Sequence, residues 1–329
     1  MRRRWHWDFD DEQRPRPVRA TPPATPPPAS PPPPAPQRDD EQLARRMRFR
    51  LRRGIAVLAA ALLLVLVVAL SGSSHHSSTP PAGARSGARV PAIPVQAGVP
   101  SVDEGRVVSV TLAYTPWVRE GGSTAREVAL TFDDGPGPYT PQVLSVLEGE
   151  HVRATFFAIG KMERYFGEST VRALRDGDVV GDHTESHPLL ARLSAREQRE
   201  ELFEQIVRIE LEGGPRPRLF RPPYGSFNDI TMRQLRALGL LMVLWSADTG
   251  DYQQPGVPVI VQRALAGARP GAIILMHDGG GDRSQTIAAL PEIIHALRHR
   301  GYRLVTVPQL LADDPAPHGQ PLPPSLSGD

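Results

Sequence analysis

The sequence predicts an α/β domain built on a parallel sheet. Three observations lead there. Apolar runs of five or six residues recur, among them Val128–Phe132, Ala154–Ile159, Leu241–Trp245 and Ala272–Met276. Stretches with helical spacing lie between most of them. The 329 residues contain no Cys, so neither a disulfide scaffold nor a thiolate metal site can replace a packed core. Strands that are apolar throughout are covered on both faces, and strands alternating with helices pair in parallel. A closed barrel and a doubly wound sheet both satisfy this. No G-x-G-x-x-G follows the first strand, which argues against a dinucleotide fold.

The chain opens with a non-globular region. Residues 1–53 carry thirteen Arg against seven Asp and Glu, and twelve of the 36 prolines fall between Pro15 and Pro36. Such a segment is expected to be a disordered tail. Pro31 to Pro34 favours polyproline II, which a proline-reading partner could dock, although a solvated tail needs no partner. Arg45, Arg46, Arg48, Arg50, Arg52 and Arg53 precede seventeen residues, Gly54 to Leu70, without a charge. As a helix these span about 26 Å, within the range of a transmembrane segment. The positive-inside rule puts residues 1–53 in the cytoplasm and everything after Leu70 outside. Cleavage at Ala69-Leu70-Ser71 or Ala82-Gly83-Ala84, giving a secreted protein, is the alternative. Residues 71–105 are rich in Ser, Gly, Pro and Ala and read as a linker. Its His75 and His76 are incidental. Residues 54–329 carry 25 basic against 29 acidic groups, so the overall charge of +2 gives no reason to expect nucleic acid as a partner.

The folded domain is expected over 106–313, with a disordered tail over 314–329. Further apolar runs at Val107–Leu112, Asp178–Val180 and Arg303–Val307 read as strands. The clearest helix is Ser194–Glu212, where Ser194 and Glu197 form an S-x-x-E capping box ahead of a stripe of Leu202, Phe203, Ile206 and Ile209. Other helical patterns are Pro141–Val152, Arg164–Asp176, Asp229–Leu238, Val257–Ala268 and Ser284–Arg300.

The candidate chemistry lies where strands end. Val128–Phe132 runs into Asp133-Asp134-Gly135-Pro136, two adjacent carboxylates that need compensation after a buried strand. Gly181-Asp182-His183-Thr184-Glu185-Ser186-His187 holds two imidazoles at i and i+4, which converge on one cation if the segment is helical. Glu185 is one place too late for the H-E-x-x-H peptidase pattern. Asp134 is a hard donor that would complete a His-His-Asp set with an open position. In Arg221-Pro222-Pro223-Tyr224 the prolines fix the chain after Arg221, whose guanidinium can hold a carboxylate as a bidentate pair. Asp248-Thr249-Gly250-Asp251-Tyr252 ends another strand. Leu275-Met276-His277-Asp278 precedes Gly279-Gly280-Gly281, and a histidine beside a mobile glycine loop suits a general acid. His295 and His299 share a helix face rich in Arg and read as solvated.

Together these segments resemble the polysaccharide deacetylase family, also called NodB-like or carbohydrate esterase family 4. Thr131-Phe132-Asp133-Asp134-Gly135 is similar to its first motif and His183-Thr184-x-x-His187 to its second. Arg221-Pro222-Pro223-Tyr224, Asp248-Thr249-Gly250-Asp251-Tyr252 and Leu275-Met276-His277 follow as the third to fifth, in the family's order. The resemblance covers roughly residues 126–312. It implies an irregular (β/α)7-type barrel with the motifs at its C-terminal face. It also implies roles. Asp134, His183 and His187 hold a divalent metal, usually Zn2+. Asp133 is the general base, positioned by Arg221. The Tyr224 backbone N–H helps hold the oxyanion. His277 is the general acid, kept protonated by Asp248. Leu275 and Tyr252 wall the acyl pocket, Tyr252 standing where the family commonly has Trp. Asp182 departs from the family pattern and adds negative charge beside the metal. The activity implied is removal of N-acetyl groups from a cell-wall polysaccharide, either the N-acetylglucosamine or N-acetylmuramic acid units of peptidoglycan or chitin-like oligomers. The setting implied is the outer face of a bacterial plasma membrane. An O-acetyl esterase of the xylan type would use the same site. A non-catalytic glycan-binding wall protein would be expected to lack Asp133 or His277, and both are present.

Overall fold

The computed structural model describes residues 103–321. The predicted tail, membrane helix and linker therefore lie outside the described residues, apart from the linker's last three positions. Among the described residues no helix is long and apolar enough to cross a membrane. The first element is a helix, α1 (Glu104–Leu112), not the strand expected at Val107–Leu112. Val107, Val108 and Val110 read as strand formers, but Asp103 accepts the Arg106 N–H at 3.0 Å and caps a helix. Burial of Val108 and Thr111, three residues apart, supplies its packing face.

All strand pairs are parallel. β1 (Trp117–Val118), β2 (Glu127–Asp133), β3 (Thr155–Ala158), β4 (Val179–Asp182), β5 (Leu219–Phe220), β6 (Leu241–Val243), β7 (Ala247–Asp248), β8 (Ala272–His277) and β9 (Arg303–Val305) form one sheet. Its order is β1-β6-β5-β4-β3-β2-β8-β7, with β9 also paired to β2. The helices between are α2 (Thr140–Gly149), α3 (Gly160–Asp176), α4 (Ala195–Leu211), α5 (Asp229–Leu238), α6 (Val257–Gly267), α7 (Ser284–His299) and α8 (Val307–Asp313). The sheet curls into a partial barrel, where the resemblance implied a (β/α)7 barrel. Its edge strands β1 and β7 do not pair. Glu120 bridges antiparallel to Ala272, and the Gly121 N–H reaches the Gly271 carbonyl at 2.8 Å, so the chain after β1 spans to β8 instead.

β2 is buried at all seven positions, which explains its continuous apolar run. Its side chains alternate between two faces. Val128, Leu130 and Phe132 join one core cluster with Val143 and Leu147 of α2, Ile260 of α6 and Ile293 of α7. Ala129 belongs to a second cluster with Phe157, Leu219, Leu241 and Ile273, inside the curl. By the same alternation Thr131 and Asp133 point inward, as do Leu275 and His277 from β8.

The C-terminal tail expected over 314–329 is ordered as far as residue 321. Asp314 accepts the Thr124 N–H, the Thr124 hydroxyl and the Ala125 N–H at 2.6–2.8 Å. The Gln320 amide bonds Arg119 N–H, Glu120 N–H and the Glu120 carbonyl. Asp314→Ala removes three accepted bonds from a half-buried loop. It should cost about 1–2 kcal/mol and lower the thermal midpoint by about 2–6 °C, as read by calorimetry.

Candidate active site

Parallel pairing of β2 with β8 puts Asp133 in register with His277. Both side chains point into the curl from adjacent strand ends. An inward carboxylate that is only 4% exposed needs compensation, and Arg221 supplies it. Arg221 follows β5, is fully buried, and donates from Nη1 to Asp133 Oδ1 at 2.7 Å and to the Thr131 hydroxyl at 2.9 Å. The contact with Asp133 is a single bond, not the bidentate pair expected. The other donors go to the carbonyls of Val243 and Leu244 at 3.0 and 3.2 Å. The guanidinium also stacks on Phe157, 4.1 Å from its ring centre. It is thus fixed from four sides and can orient only one carboxylate.

Asp134, His183 and His187 converge: one ligand atom from each lies within 4.8 Å of the others. The two histidines are not on a helix. His183 leaves β4, and the Thr184 hydroxyl accepts the His187 N–H at 2.9 Å, folding the loop back. His183 Nδ1 lies 2.7 Å from the Arg221 carbonyl, which places a proton on Nδ1 and turns Nε2 toward Asp134. The Nε2 atoms of His183 and His187 lie 3.4 and 3.0 Å from Asp134 Oδ1, and that buried oxygen accepts no hydrogen bond. Tetrahedral zinc with bonds of about 2.0–2.1 Å would space its ligands by about 3.3 Å. An oxygen that accepts no hydrogen bond and two imidazole nitrogens at these separations fit a divalent cation. Burial alone would raise the Asp134 carboxyl, but the His187, His183 and His277 imidazoles hold it well below the ordinary value.

Asp182 ends β4 beside His183. It is fully buried, burial pushes its carboxyl well above the ordinary range, and it accepts the Thr184 N–H at 2.7 Å.

The structure also corrects the partner of His277. Asp251, not Asp248, lies against it: Asp251 Oδ1 is 2.8 Å from His277 Nδ1, and Oδ2 accepts the His277 N–H and the Thr286 hydroxyl at 2.9 and 2.7 Å. Asp248 turns to the Gly250 N–H at 2.8 Å. Asp248 ends a strand, as the other motif carboxylates do. Asp251 gets its position from the turn at Asp251–Gln253, which the sequence of the motif does not reveal. Burial would lower the His277 pKa, but the Asp251 carboxylate raises it to about 9. The glycine loop after it is pinned rather than mobile, because Arg283 donates to the Gly279 and Gly280 carbonyls at 2.6 and 2.9 Å.

Around the site, the Tyr252 ring meets His277 edge-on at 5.3 Å and the Tyr224 ring meets His187 at 4.6 Å. Leu275 is buried beside Trp245 in a third core cluster. His295 lies outside, exposed and paired with Glu150 at 2.9 Å. The backbone is strained where the chemistry sits. Of six non-glycine residues with positive φ among the described residues, Asp134, Thr184, His187 and Tyr224 are at the site. Such conformations cost about 1–3 kcal/mol each and persist where surrounding contacts impose them.

Residues 120–243 match the polysaccharide deacetylase family. The chain is 41% identical over 208 residues to a peptidoglycan-N-acetylglucosamine deacetylase of Bacillus cereus, spanning 60% of this chain and 93% of that one. The chain belongs to the polysaccharide deacetylase family. It is a hydrolase of that class. A chitooligosaccharide deacetylase of Sinorhizobium fredii is 38% identical over 210 residues, 60% of this chain and 98% of that one. A crystal structure of a peptidoglycan N-acetylglucosamine deacetylase with 4-naphthalen-1-yl-N-oxidanyl-benzamide superposes with a TM-score of 0.58 at 33% identity, covering 61% of this chain and 95% of that one.

Two measurements check this geometry. Arg221→Ala strands the buried Asp133 carboxylate and should cost about 3–5 kcal/mol of stability in urea unfolding. In the chelated chain, His277 should titrate near pH 9 by NMR. Asp251→Asn should bring that down by about 2 pH units, whereas Asp248→Asn should leave it nearly in place.

Proposed function

We propose that this chain is a zinc-dependent N-deacetylase of cell-wall polysaccharide, acting on N-acetylglucosamine or N-acetylmuramic acid units of peptidoglycan or on chitin-like oligomers. Residues 54–70 would hold the domain, over 106–313 and its ordered flanks, at the outer face of the plasma membrane. One observation carries the chemistry: a clamped carboxylate and a carboxylate-bound imidazolium stand on adjacent strands beside a three-ligand cluster. The named activities of the two relatives support the substrate class.

In this reading Asp134, His183 and His187 hold a divalent cation, which supplies Lewis-acid polarisation of the acyl oxygen and acidifies water. Asp133 takes the proton of the attacking water. Arg221 keeps its free oxygen, Oδ2, directed into the site by occupying Oδ1. The Tyr224 N–H donates to the oxyanion, and a fixed donor of this kind is worth about 3 kcal/mol. An amide collapses only if its nitrogen leaves as a neutral amine, so a proton must be delivered to it. His277 holds that proton at neutral pH because Asp251 raises its pKa to about 9. Leu275 and Tyr252 flank the methyl end of the acyl group and exclude water there.

Incubating the full chain with chelator should abolish acetate release from N-acetylglucosamine oligomers, and added zinc should restore it. Metal-independent release would refute the mechanism. Since His277 must be protonated, kcat/KM should fall above a pH no higher than about 9, and His277→Ala should lose about 100- to 10,000-fold in kcat.

A further inference from the structure

We propose that Asp278 is a positioning residue that locks the strand end carrying the proton donor to the loop carrying the base and the first metal ligand, through the hydroxyl of Thr140. The inference rests on the roles proposed above for Asp133, Asp134 and His277, and extends them to two residues that touch none of the reacting atoms.

Asp278 follows His277 directly, at the C-terminal end of β8, and is 1% exposed. It grips the opposite loop at three levels. Its N–H donates to the Asp133 carbonyl at 3.0 Å, continuing the β2–β8 ladder one step past the strand end. Its Oδ2 accepts the Thr140 hydroxyl at 2.5 Å, and the same hydroxyl oxygen accepts the Gly137 N–H at 2.7 Å. A relay of two bonds thus runs from the loop after Asp134, through the first residue of α2, to the residue after His277. At the third level the carboxylate sits under Gly135, where a Cβ would lie 2.2 Å from Asp278 Oδ2. Only glycine lets the loop come that close. The next residue repeats the pattern, since a Cβ on Gly279 would lie 2.0 Å from the Asp134 carbonyl oxygen.

The physical need is plain. Asp134 sits at a strained positive φ of 72°, and its loop makes a sharp turn immediately after β2. The sheet ladder fixes Asp133 against His277 and reaches past the strand end only through N–H bonds to the Asp133 carbonyl, none of which holds Asp134. Without a further tie, the Asp134 carboxylate could swing relative to His277, and a displacement of about 1 Å in a catalytic array costs on the order of 100-fold in rate. Asp278 supplies that tie from the acid's own strand, so the acid, the base and the ligand share one frame. Burial without a cationic partner would be a poor choice for mere stability, because among the described residues Asp278 forms no ion pair.

The test uses the full-length chain loaded with zinc. It compares Asp278→Ala, Asp278→Asn, Thr140→Val and the Asp278→Ala/Thr140→Val double variant. Each is measured for kcat and KM in acetate release, for zinc affinity by chelator competition, and for thermal midpoint. Asp278→Ala should lose about 10- to 100-fold in kcat and about tenfold in zinc affinity, with KM changed by less than about threefold. Asn keeps an acceptor for the Thr140 hydroxyl and should recover most of both losses. Thr140→Val should reproduce part of the loss, and the double variant should be no worse than Asp278→Ala alone, because both break one relay. Native kcat and zinc affinity in Asp278→Ala would overturn the proposal, as would an Asn variant as impaired as Ala. If Asp278→Ala does not fold, Thr140→Val beside Asp278→Asn decides: loss of zinc affinity in the first and its retention in the second support the relay, and the reverse overturns it. If the native chain releases no acetate, the functional reading fails by itself, and the zinc affinities of the series still decide the role of Asp278.

Discussion

The in-register pairing of β2 with β8 is the constraint from which the site follows. It sets Asp133 opposite His277 on adjacent parallel strands, so that a carboxyl and an imidazole face the same interior from neighbouring positions. A one-residue slip of either strand would turn its own charged residue outward into the helix-facing core, because strand side chains alternate. The register is fixed by what lies on that outer face. Val128, Leu130 and Phe132, with Ile274 and Met276, are buried against α2, α6 and α7. Hydrophobic packing on one side of the sheet therefore determines the placement of charges on the other.

Those charges are made tolerable in two different ways. Asp133 is balanced by Arg221, itself held by two carbonyls, a hydroxyl and an aromatic face, so the pair cannot rearrange to quench the free Asp133 oxygen. His277 is balanced by Asp251, which is in turn fixed by the Thr286 hydroxyl. Each of the two groups has one dedicated counter-charge with its own anchors, and the two pairs do not share members. In the proposed mechanism this separate compensation would let one carboxylate act as a base while a nearby imidazole stays an acid. Asp134 and its two histidines form the third set, converging between these pairs on a position suited to a cation. The backbone strain at Asp134, Thr184, His187 and Tyr224 shows where the loops bend to bring that set together.

Much of this was legible in the residues. β2 and β8 read as strands because both faces are covered, which makes the apolar runs continuous. α4 announced itself through the Ser194–Glu197 capping box, which is present, and α5 has the expected limits of Asp229 and Leu238. The convergence of Asp134, His183 and His187 and the Arg221–Asp133 contact were readable through the family resemblance. What was not legible depended on geometry that short segments do not encode. β1, β5 and β7 have two residues each, too few for any periodicity. The valines of α1 favour a strand locally, and the cap at Asp103 decides otherwise. Asp248 and Asp251 are equivalent in composition, and only the turn between them selects the one that reaches His277. The polar and Pro-rich stretch from Asp314 to Gln320 looks like a tail, yet its side chains satisfy backbone groups near β1 and β2. The burial of Asp182 was not legible either, because its neighbours in the sequence are polar.

The measurement that reaches the centre of the account is anomalous X-ray diffraction at the zinc edge from crystals grown with zinc. The account predicts one strong peak per chain, at about 2.0–2.1 Å from His183 Nε2 and His187 Nε2 and at a similar distance from Asp134, with Asp133 and His277 on either side of it. A peak bound elsewhere, or none at full zinc loading, would contradict it.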